Sequence, residues 1–357
     1  MSYLDFYRLQ TEPFSNAPNE RFYYNSAQHA RALTRIMYIT ETMKGLAVVV
    51  GDIGTGKTTL ARKVLDSLPG EAYESALLII LHSEISPEWL LRKIATQLGV
   101  EQPARDKIQI IGQLYRRLLQ LHEMGKKAVV LIDEAQMLNS KELMEEFRGL
   151  LNLEVTAHKL ITFVFFGLPE VEQNLNLDQP LLQRVAMKIR LSTLTEEATK
   201  AYITHRLAIA GHRDNLFTEE AQRNIYRFSG GFPRKINILC DNALFQGFLM
   251  RERVIEGNIV EEMAFDLGFE AQVHAQASIP AVEIPPPDWS PEGGPVGEQP
   301  DAGIPEAEAP ASAVKQENSA DLTEFQESPE SETETEAEDD IEAKFDAFFE
   351  ETFSGDE

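Results

Sequence analysis

The chain has 357 residues, 43% of them hydrophobic, which is enough for one large domain or two ordinary ones with a real core and excludes a peptide-sized scaffold. Its single cysteine, Cys240, excludes an intramolecular disulfide framework and points to the reducing cytosol. The formal net charge of −25 is unevenly placed: from Ala271 onward 24 acids face only Lys315 and Lys344, whereas residues 1–270 hold 34 acids and 31 bases. The acidity therefore belongs to a tail, and the remainder is nearly neutral.

At the amino terminus, Met1-Ser2-Tyr3-Leu4-Asp5 offers neither a basic region nor an apolar run, so no secretory signal is expected. The longest apolar stretches, 46–50, 76–81 and 161–166, fall far short of the ~20 residues a spanning helix needs. Any membrane connection is expected through a partner. Residues 1–45 read as an entry segment of aromatic and turn residues, closing with a helical pattern at His29, Leu33, Ile36, Met37 and Thr40.

Residues 46–194 then alternate apolar β-rich runs (46–50, 76–82, 128–132, 161–166 and 185–191) with helical stretches. Such alternation implies an α/β subdomain, a parallel sheet covered on both faces. Directly after the first run comes Gly51-Asp52-Ile53-Gly54-Thr55-Gly56-Lys57-Thr58-Thr59, which matches G-x-x-x-x-G-K-[ST] and opens a helical pattern at Leu60, Val64 and Leu65. The glycines let backbone amides curl toward phosphate oxygens at a helix N-terminus. Lys57 would reach the β- and γ-phosphates of ATP, and the Thr58 hydroxyl would ligate Mg²⁺.

The run at 128–132 ends in Asp133-Glu134. A core strand tolerates carboxylates only at its exposed carboxyl end, which in an open parallel sheet is where ligands bind. Asp133 would hold the Mg²⁺ shell, and Glu134 would orient and deprotonate the attacking water. Two arginines could neutralise charge developing on the γ-phosphate. Arg184 precedes the last strand and could act in trans on a neighbouring subunit. Arg234, in Ser229-Gly230-Gly231-Phe232-Pro233-Arg234, could contact the nucleotide in cis, the role that the resemblance named below assigns to a sensor-2 arginine. A plain surface ion pair is the competing reading for each.

From Thr195 to Gly268 the pattern is wholly helical, with Thr195-Glu196-Glu197 and Thr218-Glu219-Glu220 reading as capped helix starts, so a helical lid subdomain is expected over 195–268. Residues 269–340 are rich in Pro, Glu, Ala and Ser and read as a disordered acidic linker. Over 341–357, Ile341, Phe345, Phe348, Phe349 and Phe353 fall at helical spacing and resemble an amphipathic docking motif for a partner's groove; a solubilising tail is the alternative.

Taken together, these residues resemble the AAA+ ATPase domain of the general secretion pathway protein A (ExeA-type) family, including ATPases of mannose-sensitive haemagglutinin pilus biogenesis. The likeness runs from Tyr3 to about Phe265. It is carried by Tyr3, Leu4, Leu9, Pro13 and Phe14; by Arg21-Phe22, Tyr24, Ser26, His29, Ala32 and Leu33; and by residues 51–60 and Asp133-Glu134-Ala135-Gln136. It continues through Gln183-Arg184, Tyr202, His205-Arg206-Leu207, Ala210-Gly211 and residues 229–244. The chain departs from the family at Arg8, where glycine is usual, at Asn19-Glu20 in place of Asp-Pro, and at Leu168, where a glutamine stands in the sensor-1 region.

The resemblance implies a P-loop AAA+ domain followed by a small helical lid, and a cytoplasmic, homo-oligomeric Mg²⁺-ATPase, slow or partner-activated. It would serve a secretion or type IV pilus-like machine, recruited to the inner face of the membrane by another protein. Many relatives continue through a membrane helix into a periplasmic peptidoglycan-binding domain, and neither is expected here. Two other readings stay open: a DNA-binding AAA+ regulator of the transposition ATPase type, and a weakly hydrolysing ATP-binding scaffold. The nearly neutral folded part and the acidic tail disfavour nucleic acid.

Overall fold

The computed structural model describes residues 2–271 apart from Pro18, Thr156, Ala157 and Arg213. The acidic linker and the 341–357 segment lie outside the described residues. Among those described, five parallel strands form a sheet in the order β2-β3-β6-β1-β7, with β1 at Leu46–Gly51, β2 at Tyr73–Ile79, β3 at Lys127–Asp133, β6 at Ile161–Gly167 and β7 at Val185–Leu191. Side chains alternate between the two faces of a strand, and here both faces are covered. Ala47, Val49, Val129, Leu131, Val164 and Phe166 join the core shared with α2 (Ala27–Glu41) and α3 (Lys57–Asp66). Val48, Val50, Val130, Ile132, Phe163 and Phe165 face α4 (Pro87–Gln97), α5 (Lys107–Glu123) and α6 (Lys141–Leu150). Every residue of β1 and β6 is accordingly buried, which is why those runs read as continuously apolar.

Strand β2 begins three residues before the apolar run at 76–82 and stops before its end. It is an edge strand paired in register with β3 from Tyr73↔Lys127, so it tolerates the half-exposed Glu74 and Ser75, while Leu81 leaves the ladder 82% exposed. A two-stranded hairpin, β4 (Glu154–Val155) and β5 (His158–Lys159), adds an element whose four residues are too few for a hydrophobic period to register. Two short helices, α7 (Glu170–Leu175) and α8 (Gln179–Leu182), lead into β7.

The carboxyl part of the described chain is a helical layer of α9 (Glu196–Ile209), α10 (Glu219–Ser229), α11 (Pro233–Met250) and α12 (Gly257–Asp266). Thr195 and Thr218 cap α9 and α10, their hydroxyls accepting from the Ala198 and Ala221 amides. Cys240 is fully buried in this layer, and burial pushes its thiol well up, the behaviour of a small core residue.

The entry segment divides between the two layers. Helix α1 (Tyr3–Tyr7) and the following loop put Phe6, Tyr7, Leu9, Phe14 and Phe22 into the helical core, whereas α2 packs Ala32, Ile36 and Ile39 on the sheet. The Arg8 departure also has a local meaning. Arg8 caps α1 in the left-handed region (φ 57°), a conformation glycine adopts without strain. No helix among the described residues is long and apolar enough to cross a membrane.

Candidate nucleotide site

Strand β1 delivers the glycine-rich loop to the carboxyl edge of the sheet, and α3 starts at Lys57 immediately beyond it. Gly54 and Gly56 hold positive φ values of 83° and 97°. Each is also pressed against a neighbour: a Cβ on Gly54 would lie 3.0 Å from Arg234 Cβ, and one on Gly56 would lie 3.0 Å from His29 Nε2. Thus Arg234, in the first turn of α11, sits against the loop, and the structure brings it together with the residues singled out at 51–59. Lys57 is buried, and its Nζ donates to the Gly51 and Asp52 carbonyls at 2.7 and 3.1 Å. Burial lowers its pKa, and Glu134, Asp133, Asp52 and Glu170 oppose that shift. Carbonyl partners on a flexible stem can be exchanged for phosphate oxygens without repacking.

Strand β3 pairs beside β6 and ends with Asp133, 1% exposed, at the same edge of the sheet. Its carboxylate is hydrogen-bonded to the Thr58 hydroxyl and accepts the Glu134 amide at 3.0 Å, while burial pushes its pKa up. A buried carboxylate against a hydroxyl is a donor set that suits a small, oxygen-loving cation, which keeps part of its water shell and takes its other ligands from phosphates. Thr58 and Asp133 would hold Mg²⁺, whose charge would offset that of the phosphates. Glu134 follows in the left-handed region (φ 57°), unusual for a side-chain-bearing residue, and lines the cleft with Lys57.

That cleft, about 350 Å³, is walled by the loop at 54–59, by Leu194, Pro233, Arg234 and Asn237 from the helical side, and by Asn16, Tyr23 and Tyr24 from the entry segment. Leu168 also lines it, so the residue singled out in the sequence for its apolar side chain stands at the cleft. Arg184 is placed elsewhere. It precedes β7, whose Val185 aligns with Leu46 at the start of β1, whereas Gly51 aligns with Leu191 at the far end. A strand's length, about 20 Å, separates it from the loop of its own chain. Its guanidinium donates to the Arg148 carbonyl at 2.9 Å.

Two contributors were not assigned a role from sequence. Arg206 is 6% exposed and has no carboxylate partner among the described residues. It donates instead to the Pro13 and Ser15 carbonyls (2.5 and 2.9 Å), Tyr202 Oη (2.7 Å) and Asn237 Oδ1 (3.1 Å), with the Phe22 ring 4.9 Å away. Asn237 in turn donates to Asn16 Oδ1. This latch ties the entry-segment wall of the cleft to α9 and α11. Its sequence signal is only an arginine at a core position of an otherwise amphipathic helix.

His29 is the second. It is 6% exposed, with Nδ1 2.7 Å from Ser26 Oγ and the ring hydrogen-bonded to the backbone of Thr55. Burial lowers its pKa below the ordinary 6.5, so folding favours the neutral ring. The unfolded chain binds the proton more readily. The stabilisation from His29 is therefore complete above about pH 6.5 and is lost as pH falls below that value. His29→Gln is expected to flatten the acid side of the stability profile, measured by denaturant unfolding between neutral and mildly acid pH. An unchanged profile would remove His29 as its source.

A family model described as an AAA domain matches residues 40–175. General secretion pathway protein A of Aeromonas hydrophila is 35% identical over 263 residues, 72% of this chain and 47% of that protein, so the chain spans about half the length of this relative. Among solved structures, Cdc6p of Pyrobaculum aerophilum superposes with a TM-score of 0.54 at 18% identity, covering 71% of this chain and 70% of that one. The Aeropyrum pernix ORC1 protein in complex with DNA gives 0.52 at 17%, covering 68% and 66%. These structural likenesses concern the P-loop AAA+ fold.

Proposed function

We propose that this chain, which carries an AAA domain and is similar to general secretion pathway protein A over 72% of its length, hydrolyses Mg²⁺-ATP in a self-assembled form. That hydrolysis energises or switches the assembly of a secretion or type IV pilus-like envelope machine. The observation that carries the reading is the convergence of Lys57, Thr58, Glu134 and Arg234 on one cleft between two layers of the fold, with the buried Asp133 hydrogen-bonded to Thr58. ATP lies in that cleft with Lys57 on its terminal phosphates. Bound Mg²⁺, held through Thr58 and Asp133, supplies charge neutralisation. Glu134 takes the proton of the attacking water, and Arg234 reports occupancy to the helical layer.

Arg184 serves a neighbour's cleft, a reading supported by its lying a strand's length from its own. The chain works in the cytoplasm, brought to the membrane's inner face by a partner that engages Ile341, Phe345, Phe348, Phe349 and Phe353.

The assembly is tested by mixing two variants. Arg184→Ala and Glu134→Gln should each lose at least about 100-fold in turnover. Mixed, they should recover activity, because an Arg184→Ala subunit keeps Glu134 and borrows Arg184 from its neighbour. Wild-type turnover by Arg184→Ala alone would refute the trans assignment.

A further inference from the structure

Gln136 lies in the short 3₁₀ turn Ala135–Met137 that follows Glu134. Its Nε2 donates to Glu134 Oε2 at 2.6 Å. Its Oε1 accepts from the Leu168 amide at 3.1 Å, just beyond the end of β6, and its backbone carbonyl accepts from Asn174 Nδ2 of α7 at 2.8 Å. The two side-chain contacts fix the amide's orientation. A flipped Gln136 would set N–H against the Leu168 N–H and oxygen against a carboxylate oxygen, losing both bonds.

We infer that Gln136 is a positioning residue for ATP hydrolysis: its amide, anchored on the tip of β6, holds one oxygen of Glu134 so that the other faces the cleft. This rests on the reading of Glu134 as the base. A glutamate has three side-chain torsions, and this one sits on a left-handed backbone at the rim of a water-accessible cleft. Left alone, its carboxylate would sample poses from which no water could be aligned with the γ-phosphate. A charge-assisted hydrogen bond to a side chain that is itself held by the Leu168 amide, on a backbone held by Asn174, removes that freedom. Because Oε2 is committed to Gln136, Oε1 remains as the acceptor for water. The tie to Leu168 and α7 also means that a shift of the β6 tip is transmitted to the base.

The experiment compares wild type, Gln136→Leu, Gln136→Glu and Glu134→Gln in full-length protein, measuring ATP turnover and nucleotide affinity. Turnover is measured at mildly alkaline pH, above the ordinary carboxylate range. Gln136→Leu should lower kcat about 10- to 100-fold, with KM and affinity within about 3-fold, the pattern of an interaction that matters in the transition state alone.

Gln136→Glu separates positioning from structural support. It keeps an acceptor for the Leu168 amide but puts a like charge against Glu134, so positioning predicts a loss at least as large as with leucine. A merely structural role predicts near-wild-type turnover, and it also keeps the test valid where the leucine variant folds poorly. If Glu134→Gln abolishes turnover while Gln136→Glu turns over normally, this inference fails and the assignment of Glu134 stands. If Glu134→Gln is itself active, the base assignment fails and Gln136 has nothing to position. Faster turnover in either Gln136 variant would make the contact a restraint and overturn the inference.

Discussion

Gly231→Ala should destabilise the protein by about 2–5 kcal/mol, among the largest effects available to a single methyl group. Gly231 has φ 74°, a conformation that costs an alanine about 1–2 kcal/mol. A Cβ there would also lie 2.0 Å from the Leu194 carbonyl oxygen and 3.0 Å from its carbon. Both atoms are backbone, so no rotamer change relieves the clash, and overpacking of this kind costs typically about 1–3 kcal/mol more. Nor can the loop retreat cheaply, because the Leu194 amide donates to the Gly231 carbonyl at 2.9 Å, and Leu194 is buried in the helical core.

The glycine also stands three residues before Arg234, which packs on the P-loop, so nucleotide affinity should fall with stability. Denaturant unfolding gives the comparison, with Gly70→Ala as the control, since a Cβ at Gly70 meets nothing within 4 Å. Equal stabilities for the two variants would show that the Leu194 contact yields in solution.

This junction illustrates what the sequence could and could not reveal. The P-loop and Asp133-Glu134 were legible because each is a local pattern: a buried strand, then a turn or a pair of carboxylates, at the edge where parallel strands end. The helix starts at Thr195 and Thr218 were legible for the same reason, since a capping hydroxyl acts within its own turn.

What escaped depends on partners far away in the chain. Arg206 meets the Pro13 carbonyl 193 residues upstream, and no periodicity marks that encounter. His29 looked like one more member of an apolar helix face, yet it braces the P-loop. Gln136 sits two residues beyond Glu134, and its importance arises only where the β6 tip comes alongside. The start of β2 leaves no apolar signal, because an edge strand can carry Glu74 and Ser75 once its partner's register is set. The entry segment reads as one unit because aromatic content alone cannot say which of two cores will take each residue.

Glu134→Gln carries the largest expected effect on activity. Glutamine keeps the length and shape of the side chain and its hydrogen-bonding reach, but it cannot accept a proton at neutral pH. General-base removal costs about 10²–10⁴-fold in rate. Binding should survive, because the contacts expected to hold phosphate come from Lys57 and the loop amides. Lys57 would even be freed of an acidic neighbour whose charge it feels in the cleft. ATP affinity should therefore be unchanged or higher, a split between binding and turnover that general unfolding would not produce.

The most direct test of the account is Mg²⁺-dependent phosphate release from ATP by wild-type protein and Glu134→Gln, both shown to bind nucleotide and compared over a range of protein concentrations. The account predicts hydrolysis by the wild type that rises per subunit as concentration drives assembly, with release by the variant at background throughout. Equal rates from the two proteins would contradict it, and would move the chemistry away from the cleft between β3, the P-loop and α11.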